Sequence, residues 1–126
     1  MRVFKNKWFA RWARAEGIAD QRLWQTAAEV VGGRFEADLG GGLVKKRLAR
    51  PGSGKRGGYR VLIGYRRPNQ ERIFFLYAFG KNVQATLTPE EKEALRLVAG
   101  ALLAATDDQI ALLLQKGSLM EVSENE

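Results

Sequence analysis

The chain has 126 residues, 45% hydrophobic and 28% charged, which fits one domain with enough apolar material for a packed core and excludes both a disordered chain and two separate cores. It contains neither cysteine nor histidine, so disulfides, thiolate nucleophiles, most zinc and iron sites and the usual acid–base side chain near neutral pH are excluded. The 21 basic and 14 acidic residues leave a net charge of +7, which favours a polyanionic partner.

The opening Met1-Arg2-Val3-Phe4-Lys5-Asn6-Lys7-Trp8 scatters charge where a signal peptide would have its apolar stretch. The longest apolar run, residues 98–105, is broken only by Gly100 and is far short of the roughly 20 residues of a bilayer span. A cytoplasmic protein without a membrane segment is expected. Phe4, Trp8 and Trp12 recur every four residues with Arg11 and Arg14 off the stripe, which predicts a first helix ending near Gly17. Asp20 is the expected cap of a second helix, with Leu23, Trp24, Ala27, Val30 and Val31 on its buried stripe and Gly32-Gly33 as its stop. Tryptophans at this spacing read as core.

From Leu43 the period changes. Residues 43–49, 58–67 and 72–81 are rich in Val, Ile, Leu, Tyr and Phe and are separated by Pro51-Gly52-Ser53-Gly54 and Pro68-Asn69, which predicts three consecutive antiparallel strands. The third, with Ile73-Phe74-Phe75-Leu76-Tyr77-Ala78-Phe79, is apolar on both faces and is expected to be central and doubly covered. Thr88-Pro89-Glu90-Glu91 then forms a capping box, with Leu95, Val98, Leu102 and Leu103 as the apolar face of a third helix. A second box, Thr106 to Gln109, opens a last helix carrying Ile110, Leu113 and Leu114 and closed by Gly117. The expected fold is α+β: two N-terminal helices packed on a small antiparallel sheet, then two C-terminal helices. The sheet is a three-stranded meander, with a short N-terminal strand left open as an addition. Residues 1–126 read as a single domain in which 106–126 is a C-terminal helix and acidic tail.

Charge is distributed unevenly along these elements. Between residues 43 and 81 there are eleven basic residues and one acid, Glu71, whereas the segments before and after carry +2 and −5. A solvated face usually mixes both signs, because like charges held together repel; this bias therefore points to a use. Gly52, Gly54 and Gly57 spell G-x-G-x-x-G, but a dinucleotide site needs a helix after that motif and here a strand follows. A phosphate loop fails too, with Ala49 at the first glycine position and Arg56 where Ser or Thr would bind magnesium. The stretch reads instead as a basic hairpin tip whose Lys55 and Arg56 reach phosphates.

Lys45 and Arg47 are two apart on a strand and so share a face, which a neighbouring strand carrying Arg60 can join, with Lys81 ending the next strand. Such a surface, with several cations and no acid nearby, stabilises a developing pentavalent phosphate. It suits RNA cleavage through the 2′-hydroxyl without a metal or other cofactor; simple phosphate binding by the same residues is the open alternative.

Asp38-Leu39-Gly40-Gly41-Gly42-Leu43-Val44-Lys45-Lys46-Arg47-Leu48, then Gly54-Lys55-Arg56-Gly57-Gly58-Tyr59-Arg60, then Phe75-Leu76-Tyr77-Ala78-Phe79-Gly80-Lys81 together resemble the RelE-like branch of the RelE/ParE toxin superfamily of type II toxin–antitoxin systems. The resemblance spans roughly residues 3–99. It implies a toxin that enters the ribosomal A site and cuts bound mRNA, and a cognate antitoxin, of helix-turn-helix type, that wraps it; operator DNA would be met only through that antitoxin. By the same resemblance Lys45 and Arg47 look like the paired strand cations, Arg60 like the arginine at the scissile phosphate and Lys81 like the basic residue closing the last strand. Lys46, Arg50, Lys55 and Arg56 of the basic segment are the expected RNA-binding residues. Better-known members carry further basic residues and often a tyrosine after that strand, where this chain continues Asn82-Val83-Gln84-Ala85-Thr86-Leu87. A non-enzymatic ParE-like gyrase inhibitor and a nucleic-acid-binding module without cleavage stand as the alternative functions.

Overall fold

The computed structural model describes residues 1–50, 58–67, 72–80 and 87–124. The chain begins with a strand, β1 (Arg2–Asn6), followed by helices α1 (Lys7–Glu16) and α2 (Asp20–Val31). A two-residue strand, β2 (Ala37–Asp38), leads into β3 (Leu43–Leu48), β4 (Tyr59–Gly64) and β5 (Arg72–Gly80). Helices α3 (Pro89–Ala104) and α4 (Asp107–Lys116) and a last strand, β6 (Leu119–Val122), complete the order. The strands form one mixed sheet in the order β2-β3-β4-β5-β1-β6, with β1 parallel to β5 and the other pairs antiparallel.

This corrects what the sequence leads one to expect in three places. Phe4 belongs to a strand and not to the first helix: β1 lies beside β5 with Phe4 opposite Phe74, and the two rings stack at 5.1 Å. The helix starts only after Asn6, whose side chain accepts from the Phe9 amide at 2.7 Å. The buried face of α1 is therefore Phe9, Ala10 and Ala13, not the Phe4, Trp8 and Trp12 stripe. The acidic tail is a strand in its first part, for β6 pairs with β1 and buries Leu119 and Val122. Its Glu121 is held by Arg2 at 2.9 Å, at the opposite edge of the sheet from β3. Asp20 opens α2 without a side-chain cap bond and instead accepts from Lys5 Nζ at 2.6 Å.

Two apolar layers enclose the sheet. On the first face, Phe9 and Ala13 of α1 and Leu23, Ala27 and Val30 of α2 pack on Val44, Tyr59, Val61, Ile63, Ile73 and Phe75. On the second, Ala99 of α3 and Ile110 of α4 pack on Phe4, Leu43, Leu62, Phe74, Leu76 and Phe79. β5 lies between β4 and β1 and contributes to both layers, as its continuous apolar run requires. Both expected capping boxes are formed, Thr88 with Glu91 and Thr106 with Gln109. Arg72, almost fully buried, donates to the Ala105 carbonyl at 2.6 Å and pairs with Asp107, tying β5 to the junction of α3 and α4. α3 crosses the sheet at the Gly40-Gly41-Gly42 turn: Gly42 has φ +86°, and a Cβ there would stand 2.5 Å from Leu103 Cδ1. Glycine is required by both backbone and space.

Candidate nucleic-acid interface

The cations of β3 and β4 are brought together by strand register. Arg47 lies opposite Arg60, and Lys45 lies opposite Leu62; Arg60 in turn lies opposite Phe79 of β5. Directly opposed residues share a face, and Leu62 and Phe79 both belong to the second layer. Lys45, Arg47 and Arg60 therefore occupy one face, as the two-residue spacing predicts, toward the end of the strands away from the Gly64 and Ala99 contact with α3.

An acid stands among them. Glu36, in the segment ahead of β2, accepts from Arg60 Nε at 2.8 Å, where the Arg60 side chain is 13% exposed and Glu36 35%. The expectation of a surface without a nearby acid fails here, because chain segments outside residues 43–81 also border the face. Sequence spacing carries no signal for this pairing. A shallow groove of about 410 Å³, lined by Arg34, Phe35, Glu36, Lys46 and Arg47, runs beside it.

Lys46 and Arg50 are engaged elsewhere. Lys46 is opposite Val61, a first-face residue, and pairs with Glu29 of α2 at 2.9 Å. That bond from Lys46 holds the Glu29 carboxyl below the usual carboxylate range. Arg50 donates to the Tyr59 hydroxyl at 3.4 Å and lies over its ring. Tyr59 itself donates to Glu16 at 2.5 Å; burial, followed by that bond to an anion, pushes the phenol up. Lys55 and Arg56 of the expected hairpin tip, and Lys81, lie outside the described residues.

Trp8, expected in the core from its helical spacing, also reaches this border. Trp8 is 38% exposed and its ring lies 4.5 Å from that of Tyr77 on β5. Tyr77 is opposite Leu62 and so belongs to the same face as Lys45.

The model of the RelE toxin of the RelE/RelB toxin–antitoxin system matches residues 1–122. The chain belongs to the RelE toxin family. The match includes β6, so the tail beyond the last helix is part of the family fold and not an appendage. Membership makes this RelE-family protein the toxin half of a toxin–antitoxin pair, with an antitoxin as its partner. Comparison with curated proteins finds no match. Among the described residues no single helix of this toxin is long and apolar enough to cross a membrane.

Proposed function

We propose that this RelE-family toxin is a ribosome-dependent endoribonuclease that stops translation by cutting mRNA, with residues 1–126 acting as one domain. The observation that supports it most is the direct opposition of Arg47 and Arg60, with Lys45 on the same face. Attack of a 2′-oxygen on phosphorus, with departure of the 5′-oxygen, gathers negative charge on the non-bridging oxygens. Preorganised cations stabilise that charge more than they stabilise the ground state. A gyrase poison has no need of cations converging on one phosphate.

In this reading Lys45, Arg47, Arg60 and Lys81 face the scissile phosphate. Arg60 keeps Nε on Glu36 and offers its two outer nitrogens as a fork, a geometry suited to two phosphate oxygens. Lys55 and Arg56 hold neighbouring phosphates. Lys46 and Arg50, which Glu29 and Tyr59 hold elsewhere, are left out of this reading.

Induced expression of the toxin without its antitoxin tests this. Translation arrest with cuts inside ribosome-engaged messages is expected, and binding to ribosomes should weaken steeply with salt as counterions are released. Growth arrest with DNA breaks and a DNA-damage response would overturn the reading in favour of gyrase inhibition.

A further inference from the structure

We infer that the pocket between the Gly40-Gly41-Gly42 turn, the end of α2 and the exit of β4 is a second phosphate site for the substrate RNA, with Arg66 and Arg67 as its cations. The inference rests on the cleavage reading and names where the same strand is held at a distance from the reacting phosphate.

Three chain segments meet there. Gly33 and Phe35 follow α2, Asp38 and the glycine turn precede β3, and Tyr65, Arg66 and Arg67 continue β4; together they line a cavity of about 520 Å³. The Tyr65 amide donates to the Gly42 carbonyl at 2.8 Å and closes the corner. Each arginine lies against a glycine: a Cβ at Gly42 would stand 3.5 Å from Arg66 Nη2, and one at Gly33 would stand 3.7 Å from Arg67 Nη2. Both guanidiniums are also uncommitted. Arg2, Lys5, Lys46, Arg60, Arg72 and Arg96 each pair with a carboxylate. Arg66 has no hydrogen-bond or ion-pair partner among the described residues, and Arg67 has only a long bond to the Val31 carbonyl at 3.5 Å.

The acid of the pocket, Asp38, accepts from the Gly40 amide at 2.9 Å and so shapes the turn. Two arginines against one carboxylate leave the pocket positive, and like charges held together are relieved by an anion. The planar fork of arginine suits phosphate oxygens. The apolar part of the wall, Phe35 and Tyr65, suits the sugar and base that a phosphodiester carries better than it suits a bare ion.

The pocket is continuous with the proposed cleavage site. β2 pairs with β3 only at Val44 and Lys45, so beyond Lys45 no described strand flanks β3 on that side. There Arg47 lines the groove, which shares Phe35 with the pocket; Glu36, the acid of that groove, is held on Arg60. The path from Arg47 back to Gly42 covers about 17 Å at the strand rise of about 3.4 Å per residue. A single RNA strand crosses it with about five nucleotides when stacked at about 3.4 Å each, and with fewer when extended. An mRNA whose scissile phosphate lies on Arg47 and Arg60 therefore brings another phosphate of the same strand to Arg66 and Arg67.

The test uses the full-length toxin and single-stranded RNAs of about two to about eight nucleotides, bracketing that span. They are fluorescent at one end and protected from cutting by 2′-O-methyl groups, and binding is measured at equilibrium at two salt concentrations. Affinity for the parent protein is expected to rise with length in a step of about tenfold or more once the strand spans the groove, the scale of one charged hydrogen-bonded contact. The double variant Arg66→Gln, Arg67→Gln, which changes two exposed residues, should melt as the parent does and lose that step. It should bind the shortest RNA nearly as the parent does, and the longest with a salt slope smaller by about 1.4, at about 0.7 per phosphate neutralised. Arg11→Gln, Arg14→Gln, which removes two exposed cations of α1, should keep the step and so controls for net charge. An unchanged step in the Arg66 and Arg67 variant, or affinity that falls equally at every length, would overturn the site. So would a nucleoside monophosphate that binds the pocket while the parent shows no step, which would assign the pocket to a free nucleotide. Because these RNAs cannot be cut, a toxin that shows the step yet leaves ribosome-bound message intact would support the site and fail the cleavage reading alone.

Discussion

Replacing Glu36 separates two effects that its carboxylate has on Arg60. It accepts from Nε at 2.8 Å, which orients the guanidinium, and it holds a negative charge close to the proposed phosphate. Glu36→Gln keeps an acceptor and removes the charge. A phosphate oxygen on the outer guanidinium nitrogens would lie about 7 Å from the carboxylate, given charge-assisted bonds of about 2.8 Å on either side. At that distance the repulsion is about 0.6 kcal/mol in water and about 2.4 kcal/mol at an effective dielectric of 20. With Glu36 35% exposed, screening favours the lower figure, so RNA affinity should rise about threefold at low salt, with a stability change within about 1 kcal/mol. Glu36→Ala also removes the acceptor. Arg60 then swings, and the single-turnover cleavage rate should fall about tenfold or more although binding does not weaken, since a misplaced group costs rate first. Anisotropy binding at two salt concentrations and single-turnover cleavage, run on both variants, read the two effects. Weaker binding by Glu36→Gln, or cleavage at the parental rate by Glu36→Ala, would refute the reasoning.

Gly42→Ala must adopt a left-handed backbone, costing about 1–2 kcal/mol, and push Leu103 aside, costing about 1–3 kcal/mol more; urea unfolding should show a loss of about 2–5 kcal/mol. Phe4→Ala, which empties a fully buried site against Phe74, should cost about 3–5 kcal/mol in the same assay; a neutral result would argue against the N-terminal strand. The carboxyls of Glu29 and Glu121 are held below the ordinary range first by bonds from Lys46 and Arg2. Their stabilisation is therefore present above the unfolded carboxylate pKa of about 4.3 and is lost as pH falls through the lower folded values. Thermal melts from pH 5 to pH 3 should fall less steeply in Lys46→Ala than in the parent, by a small margin because both carboxylates are nearly half exposed.

How far the sequence could be read depended on which contacts were local. Capping boxes, the β3 and β4 strands and the shared face of Lys45 and Arg47 follow from spacing over a few residues, and the structure has them, while Arg60 joins that face through strand register. Phe4, Trp8 and Trp12 imitate a helical stripe and put the start of the first helix too early; the competing fact, a parallel partner some 70 residues away in β5, leaves no local trace. β6 was hidden for the same reason, its partner being the other end of the chain. The Glu36 pairing and the bulge at Leu76, where Leu62 is opposite Tyr77 while Ile63 is opposite Phe75, are likewise products of tertiary packing, and both lie at the proposed site, where departures from local rules are expected.

In the proposed function, the face holding Arg60 cuts mRNA on the ribosome. Purified toxin added to ribosomes carrying a defined message, with the cut ends mapped by primer extension, tests it most directly. Cuts are expected only in the ribosome-bound message, with Arg60→Ala slower by about 10²-fold or more, the scale of losing one preorganised donor, and with melting within a few degrees of the parent. A folded Arg60→Ala protein that cuts the bound message at the parental rate would contradict the claim.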